Sequence, residues 1–159
     1  MKDPTRAALV AELTALLAGG NAHVPFEQAV ADLPAPLRNQ VVPSLPYTIW
    51  QLVEHVRIAQ HDIVEFCVDP AHVSPEWPAG YWPSPTPGAD EAGWQAALQQ
   101  IEADQQRFIE LLEDPATDLL APLPHGTGQS LLREALLIGD HAAYHTGEII
   151  LVRRLLGAW

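Results

Sequence analysis

Apolar side chains recur every three or four residues over four long segments of the chain, which is the spacing of one face of an α-helix. The segments span residues 5–18, 47–67, 89–114 and 130–159. No stretch alternates apolar and polar residues with the period of two that a strand needs. The pattern predicts an all-α protein, and four amphipathic helices are most simply buried in a four-helix bundle.

Local signals indicate where these helices begin and end. Gly19 and Gly20 stop the first apolar pattern, and Pro46 stands where the second helix can start. Thr127 is a candidate N-cap for the last helix, at the end of a connection rich in Pro, Gly and Asp. These signals predict helix boundaries close to the limits of the apolar patterns.

Two of the connections are long. Residues 21–46 contain five prolines around a short helical candidate at 26–32, and this length lets the chain cross the bundle. Residues 69–88 contain six prolines and two glycines together with Trp77, Tyr81 and Trp82, which excludes regular structure. A long aromatic loop of this kind is either a lid over a pocket or a packed surface loop.

The composition narrows the class of protein. A chain of 159 residues that is 48% hydrophobic is expected to form one domain over residues 1–159. Twenty acidic and eight basic residues give a net charge of −12, which disfavours binding to nucleic acid or to an anionic membrane. The single cysteine, Cys67, excludes an internal disulfide and a cysteine-rich zinc motif. We expect a cytoplasmic protein without a signal peptide or a transmembrane helix.

Two histidines interrupt the apolar stripe of the last predicted helix. His141 and His145 stand one turn apart and project from the same face. Polar groups on such a face are costly to bury unless they are hydrogen-bonded, paired or bound to a metal. Five large apolar residues lie within about 60° of His141 on a helical projection and define the predicted buried face: Leu137, Ile138, Val152, Leu155 and Leu156.

A third histidine is predicted to join them from the second helix. His55 lies about 70° from the centre of that helix's apolar face, whereas His61 lies almost opposite it. Asp62 shares the edge of His55 and is a candidate to orient it. Three neutral imidazoles suit a divalent transition metal, with zinc or nickel expected first and iron or manganese as alternatives. The alternative is three hydrogen-bonded histidines in the core.

Glu148 follows His145 by three residues and has several candidate roles. It is an additional ligand, a partner for a histidine N–H outside the ligand shell, or a base for metal-bound water. A simple ion pair with Arg107 or Arg133 is the structural alternative. Tyr144 either lines the pocket or packs beside it.

Several enzyme classes lack their motifs in this chain. Ala142 stands where the HExxH motif of zinc proteases carries its glutamate, and no histidine of the three has a glutamate three residues before it, as di-iron bundles do. Gly-rich phosphate loops and G-x-S-x-G are also missing. Cys67 has no visible partner base and is expected to be a packed small hydrophobe.

Two segments carry a resemblance to a known family. LPYTIWQLVEHVRIAQHDI (45–63) and GDHAAYHTGEIILVRRLLG (139–157) resemble the metal-histidine helices of the DinB-like (DinB/YfiT) superfamily of four-helix metalloproteins. The resemblance implies a bundle with long crossover connections, and a divalent metal held by His55, His141 and His145. The family's H-x-G-Q turn is HTGE here, with Glu148 in the place of glutamine.

The resemblance leaves two classes of function open. Relatives include transferases and isomerases that use low-molecular-weight thiols, and others described as metal-dependent hydrolases. The first hypothesis is therefore an enzyme whose metal activates a water or a small thiol toward a small-molecule substrate. The second is a non-enzymatic, metal-stabilised, stress-associated module that forms a homodimer, because Leu136, Ile150 and Leu151 add apolar groups away from the inward stripe of the last helix.

Overall fold

Four long helices and two short ones make up the regular structure of residues 4–43, 45–84 and 88–159, the parts described by a computed structural model. The long helices are α1 (Pro4–Ala18), α4 (Ile49–Val68), α5 (Glu91–Glu113) and α6 (Leu131–Leu155). The short ones are α2 (Phe26–Val30) and α3 (Ala35–Arg38), and a 3₁₀ helix spans Ala79–Tyr81. No strand occurs in these described ranges, and the all-α prediction is confirmed.

The long helices form a closed ring of contacts. Helix α4 packs against α5 and α6, and α1 closes the ring by packing against the same two helices. At one position α1 and α6 approach so closely that a Cβ on Gly139 would lie 2.7 Å from Leu16 Cγ. The four-helix bundle with long crossover connections is therefore confirmed.

The core falls into two clusters that fix the direction of the helices. One cluster joins the first half of α4, including Leu52, to the second half of α6, including Ile149. The other joins the end of α4, including Val64, to the start of α6, including Leu131. Helices α4 and α6 thus run antiparallel, and His55 comes to lie beside the middle of α6.

The starts of α4 and α6 are set by side-chain caps, and both differ from expectation. Helix α4 begins after Thr48, whose hydroxyl accepts from Gln51 N while Gln51 Oε1 accepts from Thr48 N. Pro46 therefore precedes the helix by three residues. Ser130 caps α6 by accepting from Arg133 N at 3.3 Å, so the prediction of Thr127 as the cap is wrong. The hydroxyl that reaches the N3 amide defines the cap.

The connections contain more local order than the sequence suggested. Helix α2 ends at Val30, two residues before the expected limit, and Asp32 adopts a left-handed φ of 53°. Helix α3 carries Pro36 in its first turn, where a missing N–H costs no helical hydrogen bond. No helix in the described parts of the chain has both the length and the apolar composition to cross a membrane.

Candidate metal centre

Three histidines from two helices meet inside the bundle. One ring nitrogen from each histidine lies within 4.8 Å of those from the other two, and His141 Nε2 is 3.0 Å from His55 Nε2. The side chains of His55 and His145 are buried, and that of His141 is half-buried. The ring centroids of the three pairs are 4.4–4.8 Å apart. The histidines that the sequence singled out therefore form one cluster.

The hydrogen bonds around the cluster fix the tautomers of two rings. His55 Nδ1 lies 2.8 Å from the carbonyl oxygen of Tyr81, and because a carbonyl can only accept, His55 Nδ1 carries the proton. His145 Nδ1 lies 2.7 Å from Glu148 Oε2 and donates to that carboxylate in the same way. The Nε2 lone pairs of both rings are thus left to bind a cation, as in most histidine metal sites.

The surroundings favour neutral rings. Burial, together with the nearby His145 and His55, lowers the pKa of His141 to about 3. Burial also lowers the pKa of His55, although its hydrogen bond to Tyr81 acts in the opposite direction. Neutral imidazole is the form that binds a metal, so the lowered pKa values of His141 and His55 favour cation binding at neutral pH.

The donor set fits a divalent transition metal. Two nitrogens that each lie about 2.0–2.1 Å from a tetrahedral metal are separated by about 3.3 Å. The Nε2 atoms of His55 and His141 are separated by 3.0 Å. Three neutral nitrogens match zinc, nickel and related ions better than magnesium or calcium. A metal held by three protein ligands would retain a position for water or substrate.

A second group of side chains of the types that bind metals is held together by an arginine. His61, Glu65 and Asp104 also bring ligand atoms within 4.8 Å of one another. However, Arg107 Nη1 lies 2.7 Å from Glu65 and 3.0 Å from Asp104, and His61 Nδ1 donates to Asp104 at 2.9 Å. The guanidinium supplies the positive charge there, and the group is an ion-pair network between α4 and α5.

The aromatic loop forms one side of the histidine cluster. Trp82 stacks on the His55 ring with a centroid distance of 3.9 Å and an interplanar angle of 3°. Tyr47 stacks in turn on Trp82, at 3.9 Å and 9°. The loop thus contacts the cluster through Tyr81, by its carbonyl, and through Trp82, by its ring.

Glu148 stands beside the cluster and is held from two sides. It accepts from His145 Nδ1, and Tyr144 is hydrogen-bonded to it as well. The negative charge of Glu148 raises the pKa of Tyr144, which is largely exposed and touches His145 edge-on. The arginines considered as its partners are engaged elsewhere, Arg107 with Glu65 and Asp104 and Arg133 with Glu134.

Comparison with known proteins identifies the family. A family model described as the DinB superfamily matches residues 22–149, which extends from the connection before α2 into the second half of α6. The chain belongs to the DinB superfamily. The matched region includes all three histidines and Glu148. Comparisons with curated proteins and with solved structures gave no match.

Asp62 makes its hydrogen bonds to the loop in this DinB-superfamily protein, and the loop in turn contacts His55. Its Oδ1 accepts from His72 Nε2 at 2.7 Å, and its Oδ2 accepts from the Tyr81 hydroxyl at 2.6 Å. The carboxylate therefore holds the loop, and the loop holds His55. The aromatic richness of residues 69–88 was the available signal for this contact, but the use of a main-chain carbonyl leaves no mark on the sequence.

A small apolar cleft reaches the same part of the protein. Its volume is about 50 Å³, and Glu148 is its charged member. Tyr47 connects this cleft to the aromatic stack over His55. The cleft is lined by Leu45, Pro46, Tyr47, Leu52, Glu148, Leu151 and Val152.

Proposed function

We propose that this DinB-superfamily protein is a metal-dependent enzyme that uses a divalent metal held by His55, His141 and His145. The observation that carries the proposal is the convergence of three ring nitrogens, two of them on rings whose outer nitrogen is already hydrogen-bonded. Such bonds fix ligand rings in the orientation and tautomer that a metal requires. Zinc or nickel is the preferred ion, with iron or manganese next.

The reaction class follows from a three-histidine shell. A bound divalent ion lowers the pKa of a water or a thiol and makes it a nucleophile near neutral pH. The protein contributes the ligand geometry, and the Trp82 ring shields one face of His55 from solvent. We therefore propose activation of a water or a low-molecular-weight thiol, as in a hydrolase or a thiol transferase.

Glu148 acts in this proposal as a positioning residue rather than as the proton acceptor. Its carboxylate already accepts from His145 and is hydrogen-bonded to Tyr144, so its lone pairs are partly engaged. A hydrogen-bonded carboxylate increases the basicity of the histidine that it contacts. The expected result is a tighter metal site.

The nature of the substrate is suggested by the lining of the nearby cleft. Apart from Glu148, the cleft is lined by apolar and aromatic side chains. A negative substrate would be repelled by Glu148 and by the net charge of −12. We propose a small neutral molecule. The cytosol is the proposed compartment, since the one cysteine is buried and free.

A metal-stabilised homodimer without enzymatic activity is the second candidate. Four large side chains on α6 are substantially exposed, namely Leu136, Tyr144, Leu151 and Leu155. The prediction that Leu155 belongs to the buried face is wrong, because this residue lies at the last turn of α6 and is 57% exposed. The four side chains lie within about 100° of one another around the helix axis, which makes a continuous stripe. A second copy of the chain is the occupant that we propose for this stripe, because an isologous contact buries the same apolar residues on both sides. Ile150 packs partly into the bundle and is not part of this surface.

Thiol titration of the cobalt-loaded protein distinguishes the two candidates. Cobalt(II) replaces zinc in histidine sites and reports its ligands in visible absorption. Adding 2-mercaptoethanol is expected to shift the cobalt bands and to produce a thiolate charge-transfer band, because the open position accepts sulfur. A protein with His141 replaced by alanine is the control and should give neither signal. If the cobalt bands do not change when thiol is added, and relaxation measurements detect no exchangeable water, the metal-stabilised homodimer without enzymatic activity is favoured.

A further inference from the structure

One carboxylate ties both ends of a loop segment to helix α4. Asp62 is buried, with 8% of its surface exposed, and it lies two turns after His55. The segment is residues 72–81. Asp62 Oδ1 accepts a hydrogen bond from His72 Nε2 at 2.7 Å, and Asp62 Oδ2 accepts one from the Tyr81 hydroxyl at 2.6 Å. Hydrogen bonds to a buried carboxylate are among the stronger ones in proteins.

The same Tyr81 also controls His55. Its main-chain oxygen accepts from His55 Nδ1 at 2.8 Å, while the next residue, Trp82, covers the face of the imidazole ring. Tyr81 therefore links a buried carboxylate, through its side chain, to a metal-site histidine, through its main chain. Asp62 reaches His55 through this one residue.

We infer that Asp62 is a positioning residue of the histidine cluster, which fixes the Nδ1–H tautomer and the orientation of His55 by holding the Tyr81 carbonyl against it. Without Asp62 the segment loses a hydrogen bond at each of its ends, and the stacking of Trp82 on Tyr47 and His55 is left to restrain the Tyr81 carbonyl, which is then less firmly positioned. His55 would then exchange between tautomers, and its Nε2 lone pair would be available only part of the time. This inference rests on the proposed function for its consequence in metal binding, although not for the state of the His55 ring.

A matched control is present on the neighbouring helix. Asp104 is also a buried carboxylate, and it also binds a histidine, His61, together with Gln100 and Arg107. These partners join α4 to α5 and have no bond to the loop segment in the described contacts. Removing Asp104 disturbs a comparable buried network while leaving the Tyr81 carbonyl in place.

The experiment compares Asp62→Ala, Tyr81→Phe and Asp104→Ala with the unaltered protein. Long-range ¹H–¹⁵N spectra of the metal-free proteins report the tautomer of His55, and competition with a chromophoric chelator reports zinc affinity. We expect Asp62→Ala to mix the two tautomers and to weaken zinc binding about tenfold, the lower end of the range for residues outside the ligand shell. Tyr81→Phe, which loses only the hydroxyl, should change both quantities in the same direction by less. Asp104→Ala should change neither.

The outcomes separate the inference from the proposed function. If His55 keeps its Nδ1–H tautomer and zinc affinity is unchanged in Asp62→Ala, the positioning role is overturned and the metal site stands. If the unaltered protein binds no zinc, the proposed function fails, and the ring spectra still decide whether Asp62 positions His55. Should Asp62→Ala fail to fold, Tyr81→Phe decides both points, because it removes only the hydroxyl group that binds Asp62 and Ser74.

Discussion

Glu148 is the residue whose contribution to the metal site is most easily varied. Its carboxylate accepts the proton of His145 Nδ1 at 2.7 Å. Replacement by glutamine retains an acceptor oxygen at this position, whereas replacement by alanine removes it. We predict that Glu148→Ala weakens zinc binding about 10- to 100-fold and that Glu148→Gln weakens it much less. Chelator competition measures both.

The two variants also test the alternative roles of Glu148. An equal and large loss in both variants would indicate that the carboxylate is itself a ligand. Unchanged affinity in Glu148→Ala would contradict the role assigned here, because His145 would then need no partner.

Cys67 is buried near the end of α4 and is not a candidate nucleophile. Burial raises the pKa of its thiol from 9.0 to about 12, and the charge of Glu134 adds to the shift. We predict that the thiol resists disulfide reagents at pH 8 until the protein unfolds. Rapid stoichiometric reaction in the native state would contradict this.

The same shift predicts a dependence of stability on pH. The unfolded thiol ionises near pH 9, while the folded thiol ionises near pH 12. The contribution to stability is therefore complete below pH 9 and is lost as the pH rises toward 12. Urea unfolding at pH 8 and pH 10.5 should show a fall that is smaller in Cys67→Ala. An equal fall in both proteins would assign the effect to other groups.

Among the elements, helix α6 offers a direct test of its boundary. Ser130 caps the helix by accepting from Arg133 N, and Thr127 lies outside it. We predict that Ser130→Ala lowers the free energy of unfolding by about 1 kcal/mol, while Thr127→Ala changes it by less than about 0.5 kcal/mol. Urea unfolding of both variants measures the difference. A larger loss of unfolding free energy in Thr127→Ala than in Ser130→Ala would indicate that Thr127 is the cap.

The long helices were predictable because each has enough turns for an apolar stripe to be visible. The pattern at 47–67 and 130–159 also placed His55, His141 and His145 on inward faces, and the structure groups all three. The start of α6 was less predictable, since both Thr127 and Ser130 carry a hydroxyl group ahead of it. Only the three-dimensional distance from Ser130 Oγ to Arg133 N decides which of them is the cap.

The contacts of the irregular loop were beyond prediction for a different reason. The acceptor for His55 is a main-chain carbonyl, and every residue carries one. Asp62 was placed correctly beside His55 along the helix, but its partners come from a segment whose path the sequence does not define. Asp104 is likewise fully buried because His61, Gln100 and Arg107 surround it, which periodicity alone does not reveal.

At the scale of the whole molecule, the antiparallel packing of α4 and α6 builds the histidine cluster and leaves another face of α6 outward. Leu151 on that face is 50% exposed, and Leu120, in the connection before α6, is 64% exposed. If the stripe on α6 binds a second copy, Leu151→Asp should convert a dimer to a monomer in sedimentation experiments. Leu120→Asp is the matched control and should not. A monomeric unaltered protein would contradict the dimer.

The most direct test of the central claim is the metal content of the purified, zinc-reconstituted protein. Because His55, His141 and His145 each bring one ring nitrogen within 4.8 Å of those from the other two, we expect about one zinc ion per chain by elemental analysis. Replacing all three with alanine should abolish binding while the helical circular dichroism is retained. A triple variant that still binds one zinc ion, or an unaltered protein that binds none when offered zinc, nickel, iron or manganese, would contradict the metal site.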